Sequence, residues 1–243
     1  AKTHLVVELR TLGRGESVGP VSALLTADGC CEPAAQTLVS IGTVEAAAAL
    51  RKALPELNET GRITVICALG RMRDRAAVPL LLKEAGSADP AVRHAALFAL
   101  AEIGDPAAEA VLRTAVVKAD AGECEQANHR LLRFALRLAE NGHKPEAIAV
   151  CRSLLAQAGP ADSDIAPGAF YELMSLLGKD EALTGLVTGL GHPSTKVRTA
   201  AIRAASGLPG SAVTKQLAKA LVTLPSDCRA PVAELLRRRG DPA

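Results

Sequence analysis

The sequence predicts an all-α protein, a right-handed α-solenoid of about six to seven stacked helical hairpins. The first observation behind this is that apolar helical segments recur about every 31 residues. The second is that residues typical of helix starts and stops recur in the same register. The third is composition, because 243 residues contain no Trp, one Tyr and three Phe. The prevailing small side chains allow helices to pack closely, and we expect no β-sheet.

Four arginines mark the repeat. Each opens an apolar helix, and 31 residues separate the members of each pair. The pairs are Arg62 with Arg93 and Arg198 with Arg229. In the same register, ALGRMRD (68–74) aligns with ALAEIGD (99–105). A position fixed by the period favours a structural role, so we expect these arginines to link each repeat to the next through helix caps and loop carbonyl groups.

The segment DPAVRHAALFALAEIGD (89–105) shows how one repeat is built. Asp89 can cap the start of a helix, and Pro90 fits the first helical position, where an amide is not needed. Apolar residues then follow with helical spacing and form one core face. They are Val92, Ala96, Ala99, Leu100 and Ile103. Gly104 can end the helix in the left-handed conformation, and AAEAVLRTAV (107–116) supplies a second helix, so the repeat is a helical hairpin.

One such hairpin cannot fold alone. It buries about five or six side chains at roughly 1.5–3 kcal/mol each, whereas ordering about 30 residues costs roughly 1.5 kcal/mol per residue. Stacking the hairpins removes this deficit by giving them a continuous core. Asn58, Asp89 and Ser194 occupy equivalent capping positions, so three repeats indicate the same helix start.

Several of these segments resemble HEAT-like repeats of the short, phycobilisome-lyase-associated type. They are DPAVRHAALFALAEIGD, the AVPLLLKEAGSA before it, and HPSTKVRTAAIRAASGLPG. The resemblance is strong over residues 75–115 and 180–222 and looser over 18–74. Within residues 106–179 it is weak, and LAENGHKPEAIAVCRSLLAQ (138–157) is more similar to a tetratricopeptide hairpin. The resemblance implies an α-solenoid whose second helices line a concave surface that binds partners.

We expect a single array over residues 1–243. Residues 18–105 and 180–243 would form regular repeats, and residues 106–179 longer, irregular ones. Residues 1–17 would be the remnant of a preceding repeat, because HLVVELRTLGRG (4–15) resembles a second helix without its first. The chain begins with Ala rather than Met, so we expect a fragment of a longer protein.

Composition restricts the classes of function. A net charge of +2 is too small to favour nucleic-acid or membrane binding by bulk electrostatics. No apolar run is long enough to span a membrane, and no signal peptide is present in this chain, which slightly favours the cytoplasm unless a leader precedes Ala1. The six cysteines lack the pattern of a disulfide scaffold, so we expect free thiols, with Cys67 and Cys151 inside apolar helices.

Three classes of enzyme contain similar repeats, and the sequence lacks the residues typical of each. HEAT-like hydroxylases hold two iron ions through His-Glu pairs, but Ala95 follows His94 and the chain contains no His-Glu dipeptide. Nothing specific to bilin lyases is visible, and DNA-glycosylase-like solenoids use a Trp that this chain lacks. No Gly-rich phosphate loop, nucleophile elbow or metalloprotease motif occurs. We therefore expect no enzyme, no metal and no cofactor.

Four apolar residues lie off the core stripes of their helices: Ile66, Leu97, Phe98 and Ile202. They are either exposed anchors for a partner helix or peptide or contacts to the neighbouring repeat, and both interpretations remain open. A basic stripe of Arg130, Arg133 and Arg137 lies beside His129, with Arg203 on a later helix. Its alternative is a solvated helix face paired with Glu125 and Glu140.

The sequence thus predicts a scaffold that binds a protein or peptide, with no nucleic-acid partner. The predicted partner-binding residues are Ile66, His94, Leu97, Phe98, Arg130, Arg133, Arg137, Ile202 and Arg203. The first alternative is a structural spacer in a multidomain protein, and a less favoured one is a lyase-type or nucleic-acid-processing HEAT-like enzyme. Apolar residues exposed on the helical surface would distinguish the scaffold from the spacer, because a spacer has no reason to keep them there.

Overall fold

A computed structural model describes residues 15–27, 29–120, 122–157 and 165–239. The remnant helix predicted in residues 4–15 lies outside these ranges except for its last residue. The described part contains 14 α-helices and no strand, which confirms the prediction of an all-α solenoid. In chain order the helices are α1 Val18–Ser22, α2 Cys31–Ile41, α3 Val44–Ala53, α4 Glu59–Arg71, α5 Val78–Glu84, α6 Pro90–Ile103, α7 Glu109–Lys118, α8 Cys124–Glu140, α9 Lys144–Gln157, α10 Ile165–Leu176, α11 Lys179–Leu190, α12 Thr195–Gly207, α13 Ser211–Ala220 and α14 Ser226–Arg239.

The helices form two compact units, divided between Asn141 and Gly142. In the N-terminal unit, α2, α4, α6 and α8 contact one another in succession, and we call them the main row. Helices α3, α5 and α7 pack beside it, each against the main-row helix that follows. The C-terminal unit has the same plan, with α10, α12 and α14 in succession and α11 and α13 beside them. Hairpins therefore stack in chain order within each unit.

The core follows the predicted helix faces. On α6, the five residues of the predicted apolar stripe are all buried, and the apolar residues of α8 cover them from the next repeat, with Phe134 fully enclosed. In the C-terminal unit, buried residues such as Phe170, Leu186, Val197 and Leu217 form one continuous cluster. All six cysteines are free thiols, and burial raises the pKa of Cys151 to about 12, so this thiol behaves as a small apolar side chain.

Two of the three predicted helix caps are confirmed. The Asn58 side chain accepts a hydrogen bond from the Gly61 amide at 2.9 Å, and Asp89 accepts from the Ala91 amide at 2.7 Å. The prediction for Ser194 is wrong in its mechanism: this residue is the N-cap of α12, but its side chain makes no capping hydrogen bond. Its amide instead donates to His192 Nδ1 at 3.1 Å, so an imidazole fixes the helix start.

The end of α6 is closed by the following repeat. Gly104 adopts the left-handed conformation with φ +67°, as the sequence predicts. A Cβ atom at this position would lie 2.3 Å from Cβ of Arg137 on α8. Asn141 Nδ2 donates to the carbonyl groups of Ile103 at 2.8 Å and of Gly104 at 2.9 Å. The last turn of α6 thus depends on the helix that packs against it.

The recurrent arginines make the expected structural contacts. Arg93 Nη1 donates to the carbonyl of Ser87 at 2.9 Å, Arg198 Nη1 to that of His192 at 2.7 Å, and Arg229 Nε to that of Leu224 at 2.9 Å. Two also form ion pairs with a later helix: Arg62 on α4 with Glu84 on α5, and Arg198 on α12 with Asp227 on α14. These arginines therefore fasten the loop before a helix or join consecutive elements.

Replacing Arg93 with Ala should lower the free energy of unfolding by roughly 1–2 kcal/mol, because two loop carbonyl groups lose a charged donor. Thermal unfolding followed by circular dichroism measures the loss. Arg75→Ala is the matched control, since Arg75 is exposed and its removal should change stability by no more than about 0.5 kcal/mol. An unchanged melting temperature for Arg93→Ala, together with loss of a binding activity, would reverse the assigned role.

Candidate interaction surface

The exposed side of the main row centres on Phe98. This side chain on α6 is 42% exposed, whereas the neighbouring Leu97 is buried. Two grooves share Phe98 as a wall, one toward α8 and one toward α4. We call Phe98 and the residues of these two grooves the Phe98 surface.

The groove between α6 and α8 combines apolar and basic residues. Its volume is about 500 Å³. The apolar lining comes from Phe98, Ala101, Leu132 and Leu136, and the polar lining from Gln126, His129, Arg130 and Arg133. An apolar floor with cationic edges can hold an apolar side chain and an anionic group at the same time.

The groove on the α4 side is more polar and measures about 480 Å³. Its lining residues are Cys67, Arg71, Arg73, Phe98, Glu102 and Arg137. Burial raises the pKa of the Cys67 thiol, and the charge of Glu32 raises it further. The thiol therefore stays protonated near neutral pH and is a weak nucleophile.

A buried carboxylate organises the arginines between the two grooves. Glu102 on α6 is 8% exposed, and its two oxygens contact Arg133 Nε and Arg137 Nη2, each at 2.8 Å. Arg137 Nη1 also contacts Glu140 at 2.8 Å, and Arg73 Nη1 contacts the same carboxylate at 2.8 Å. The network holds guanidinium groups from α8 and from the turn after α4 in fixed positions.

The charges in this network shift each other's pKa. Burial alone lowers the pKa of Arg137, but the hydrogen bonds to Glu102 and Glu140 outweigh it, so the pKa is raised. The Arg137 hydrogen bond in turn lowers the pKa of Glu140. Both shifts favour the charged forms, so Arg137 and Glu140 are both ionised at neutral pH.

Replacing Glu102 with Gln should lower the free energy of unfolding by roughly 1–3 kcal/mol, because Arg133 and Arg137 lose the charge that compensates them. Urea unfolding at pH 7 measures the loss. The control is Glu109→Gln, which removes an i,i+4 pair with Arg113 on α7 and should cost about 0.5 kcal/mol or less. Equal losses in the two variants would mean that the buried position of Glu102 has no energetic consequence.

Two cations of the Phe98 surface have no carboxylate partner in the described part of the chain. Arg71 lies on the groove toward α4. Arg130 lies on the groove toward α8, where its Nη2 donates to Gln126 Oε1 at 3.3 Å. Burial lowers the pKa of Arg130, while the charge of Glu123 raises it, although Glu123 itself contacts His94 Nε2 at 3.3 Å.

The structure brings together only part of the predicted binding set. Phe98, Arg130, Arg133 and Arg137 all line the Phe98 surface. His94 is half-buried on α6 and lines a separate groove toward α7 that it shares with Arg130. The binding role of these residues stays a prediction.

The other predicted anchors need correction. Ile66 and Leu97 are buried, so neither is an exposed apolar anchor. Ile202 on α12 is half-buried and packs against the core of the C-terminal unit. The reason is common to the three: a helix inside a row has neighbours on both sides, so its apolar face is wider than one stripe. Arg203 is exposed on α12, in the C-terminal unit.

Sequence reasoning missed several residues of the Phe98 surface, including Arg71 and Glu102. The repeat contains the signal for them. Arg71 and Glu102 are 31 residues apart, and Arg137 follows Glu102 after 35, so one register position carries charges of alternating sign in three successive repeats. Such a column predicts ion pairs between neighbouring helices.

The C-terminal unit contains a second, mainly apolar cavity of about 610 Å³. Leu155, Phe170 and Leu173 are among the residues that line it. His192 is the imidazole at its edge, and both of its nitrogens are engaged, Nε2 with the Leu155 carbonyl at 3.2 Å and Nδ1 with the Ser194 amide at 3.1 Å. Among the described residues, no group of three or more His, Cys, Asp or Glu could hold a metal ion.

The stacked hairpins and the exposed side of the main row define an α-helical repeat protein of the solenoid class. Residues 54–133, which include most of the Phe98 surface, match the family model for HEAT repeats. The resemblance to HEAT repeats seen in the sequence is therefore confirmed for this part of the chain. No curated protein matches the sequence significantly.

Three solved structures are similar in fold. Human deoxyhypusine hydroxylase in complex with glycerol is 23% identical, with a TM-score of 0.46, over 93% of this chain and 86% of the other. The CpcE–CpcF complex of phycocyanin lyase from Nostoc sp. PCC7120 is 19% identical, with a TM-score of 0.47, over 91% and 94%. An engineered protein is 21% identical, with a TM-score of 0.46, over 98% and 72%. At these identities the likeness concerns the fold alone.

The expectation that the chain is not an enzyme is contradicted. Two of the similar structures are those of a hydroxylase and a lyase. An absent motif does not exclude catalysis, and the exclusion drawn from the sequence is withdrawn. In the described ranges, no helix combines the length and apolar character needed to cross a membrane.

Proposed function

We propose that this chain is a helical-repeat interaction module that binds a segment of a partner protein through the Phe98 surface. The single observation that carries the proposal is an aromatic side chain, 42% exposed, at the junction of two grooves on the main row. Aromatic anchors surrounded by arginines are typical of the residues that dominate binding energy at protein interfaces.

The rigidity of the site supports the proposal. Phe98 projects from a helix whose other residues are mostly buried, and the ion pairs of Glu102 fix the arginines beside it. A preformed site loses little conformational entropy when a partner binds. A structural spacer would gain nothing from an exposed Phe, so the position favours an interaction module over the spacer.

Site-specific photo-cross-linking tests the proposal. Benzoylphenylalanine replaces Phe98 in the full chain, which is then produced in the cells that make the protein naturally and irradiated. The matched control carries the same residue at Val117 on α7, which is 85% exposed but lies off the main row. We expect discrete cross-linked protein adducts at position 98 and none at 117. Adducts of equal yield at both positions, or none at 98, would contradict the proposal.

A further inference from the structure

We infer that the partner segment is acidic and carries an apolar side chain between its carboxylates, with Phe98 contacting the apolar side chain and Arg71 and Arg130 binding the carboxylates on either side. This inference rests on the proposed function and specifies the chemistry of the partner. It follows from the distribution of charge, from two arginines that have no carboxylate partner among the described residues, and from the apolar floor of one groove.

Positive charge is concentrated on the Phe98 surface. Five arginines (71, 73, 130, 133 and 137) and one glutamate (102) line its two grooves, so these lining residues carry a net charge of +4. Glu140, which lines neither groove, pairs with Arg73 and Arg137. The whole chain of 243 residues carries only +2. The nearby acids are Glu123 and Glu125 on α8 and the turn before it, and they contact His94 and His129. A partner that matches this surface must be negatively charged around its point of contact.

Arg71 and Arg130, which have no carboxylate partner within the ranges that the structure describes, lie on opposite sides of Phe98. Arg71 belongs to the groove toward α4 and Arg130 to the groove toward α8, and Phe98 is a wall of both. Arg130 is half-buried and donates to an uncharged amide oxygen, so its charge is partly desolvated without full compensation. A carboxylate from a partner would supply that compensation and could bind each guanidinium through two hydrogen bonds.

The apolar part of the groove determines how large the partner's apolar side chain can be. Ala101, Leu132 and Leu136 line the groove beside Phe98. Because Ala101 is small, the groove stays open between the larger side chains. The groove of about 500 Å³ has room for a leucine-sized or phenylalanine-sized side chain and for part of the backbone of the partner segment.

The same features favour a protein over a nucleic acid. Glu102 and Glu140 lie within the arginine network and interrupt the basic surface, whereas a phosphate backbone carries a negative charge at every nucleotide and needs a continuous basic groove. Surfaces that bind single-stranded nucleic acid combine a continuous basic groove with several stacking aromatic side chains, whereas Phe98 is the aromatic residue that lines these two grooves among the described residues.

Peptide selection tests the inference. Random 16-residue peptides displayed on phage are selected against the full chain, and the enriched peptides are labelled with fluorescein for anisotropy titrations. The proteins titrated are the wild type, Phe98→Ala, the double variant Arg71→Glu/Arg130→Glu, and the control Arg75→Glu/Arg152→Glu. The control changes the net charge equally at two exposed arginines outside the Phe98 surface. A labelled 20-nucleotide oligothymidine is titrated in parallel.

We expect the enriched peptides to carry net negative charge and one central apolar residue. The Arg71→Glu/Arg130→Glu variant should weaken their affinity at least about tenfold, and the control double variant less than about threefold. Raising the salt concentration should weaken the wild-type complex and have little effect on what remains in the double variant.

The other outcomes separate the two proposals. Peptides that depend on Phe98 but are not acidic, and that tolerate Arg71→Glu/Arg130→Glu, overturn the acidic partner and leave the proposed function standing. Peptides that bind all four proteins equally overturn both. Oligothymidine that binds with the same dependence on Arg71 and Arg130, and more tightly than any peptide, replaces the acidic segment by a nucleic acid.

Discussion

Replacing Gly104 with Ala is expected to lower the free energy of unfolding by about 2–5 kcal/mol. A side chain in the left-handed conformation costs about 1–2 kcal/mol. The new Cβ would also lie 2.3 Å from Cβ of Arg137 and 2.7 Å from its backbone carbonyl carbon. Neither atom belongs to the flexible end of a side chain, so α8 must move away from α6, and overpacking of this kind costs roughly 1–3 kcal/mol more.

Gly42 provides a control for the conformational part of this effect. It has the same φ of +67°, but a Cβ there would approach only two carbonyl oxygens, the nearer at 3.7 Å. Gly42→Ala should therefore cost only the roughly 1–2 kcal/mol of the left-handed conformation. Urea unfolding monitored at 222 nm compares the two variants. Equal losses of unfolding free energy in the two variants would show that α8 can move away from α6 without a measurable cost, and that the two helices are loosely packed.

Replacing Phe134 with Ala is expected to cost about 3–5 kcal/mol, the usual loss for a fully enclosed aromatic side chain. Phe134 lies on α8 with no exposed surface. The same substitution at Phe98, which is 42% exposed, should cost only about 1 kcal/mol, because much of that ring already contacts water. Two identical substitutions on adjacent helices of the main row thus separate a core residue from a surface residue.

The comparison also bears on the interaction surface. If Phe98→Ala destabilises the chain as much as Phe134→Ala, Phe98 is part of the core, and its exposure no longer supports a role in binding. If it is tolerated, the variant is suitable for binding experiments because the fold is retained. Circular dichroism at 222 nm and the urea midpoint provide both values from the same samples.

The sequence predicted the hairpins well because residues typical of helix starts and helix ends mark the boundaries of each repeat. Asp89 and Gly104 mark the start and end of α6, and both act as expected. Ser194 is the exception: a residue of the right type stands at the N-cap position, yet its side chain makes no capping hydrogen bond and its amide is bound by the His192 imidazole. The group that binds the amide at the start of a helix depends on the backbone path of the preceding turn. The repeat pattern in the sequence does not specify that path.

The candidate surface was predicted in part, and the repeat register explains the errors. Ile66, Leu97 and Ile202 share one register position, and all three are covered to a large extent. Phe98 stands at the next position, about 100° further around the helix, and is exposed. Predicting these three residues and Phe98 as one set of exposed anchors was therefore wrong, because they lie on two different faces of their helices. The pairing of Glu102 with Arg137 also required the 35-residue spacing between them, which is longer than the 31 residues from Arg71 to Glu102.

The closure of α6 by Asn141 sets a rule for shortening this protein. The Asn141 side-chain amide donates hydrogen bonds to two carbonyl groups at the end of α6 that would otherwise lack a partner in the N-terminal unit. A truncation after the helix ending at Ile103 would therefore leave an uncapped terminus and bare the apolar stripe that α8 covers. A shorter form designed for crystallography or calorimetry should keep every residue through Asn141 and place its cut immediately afterwards.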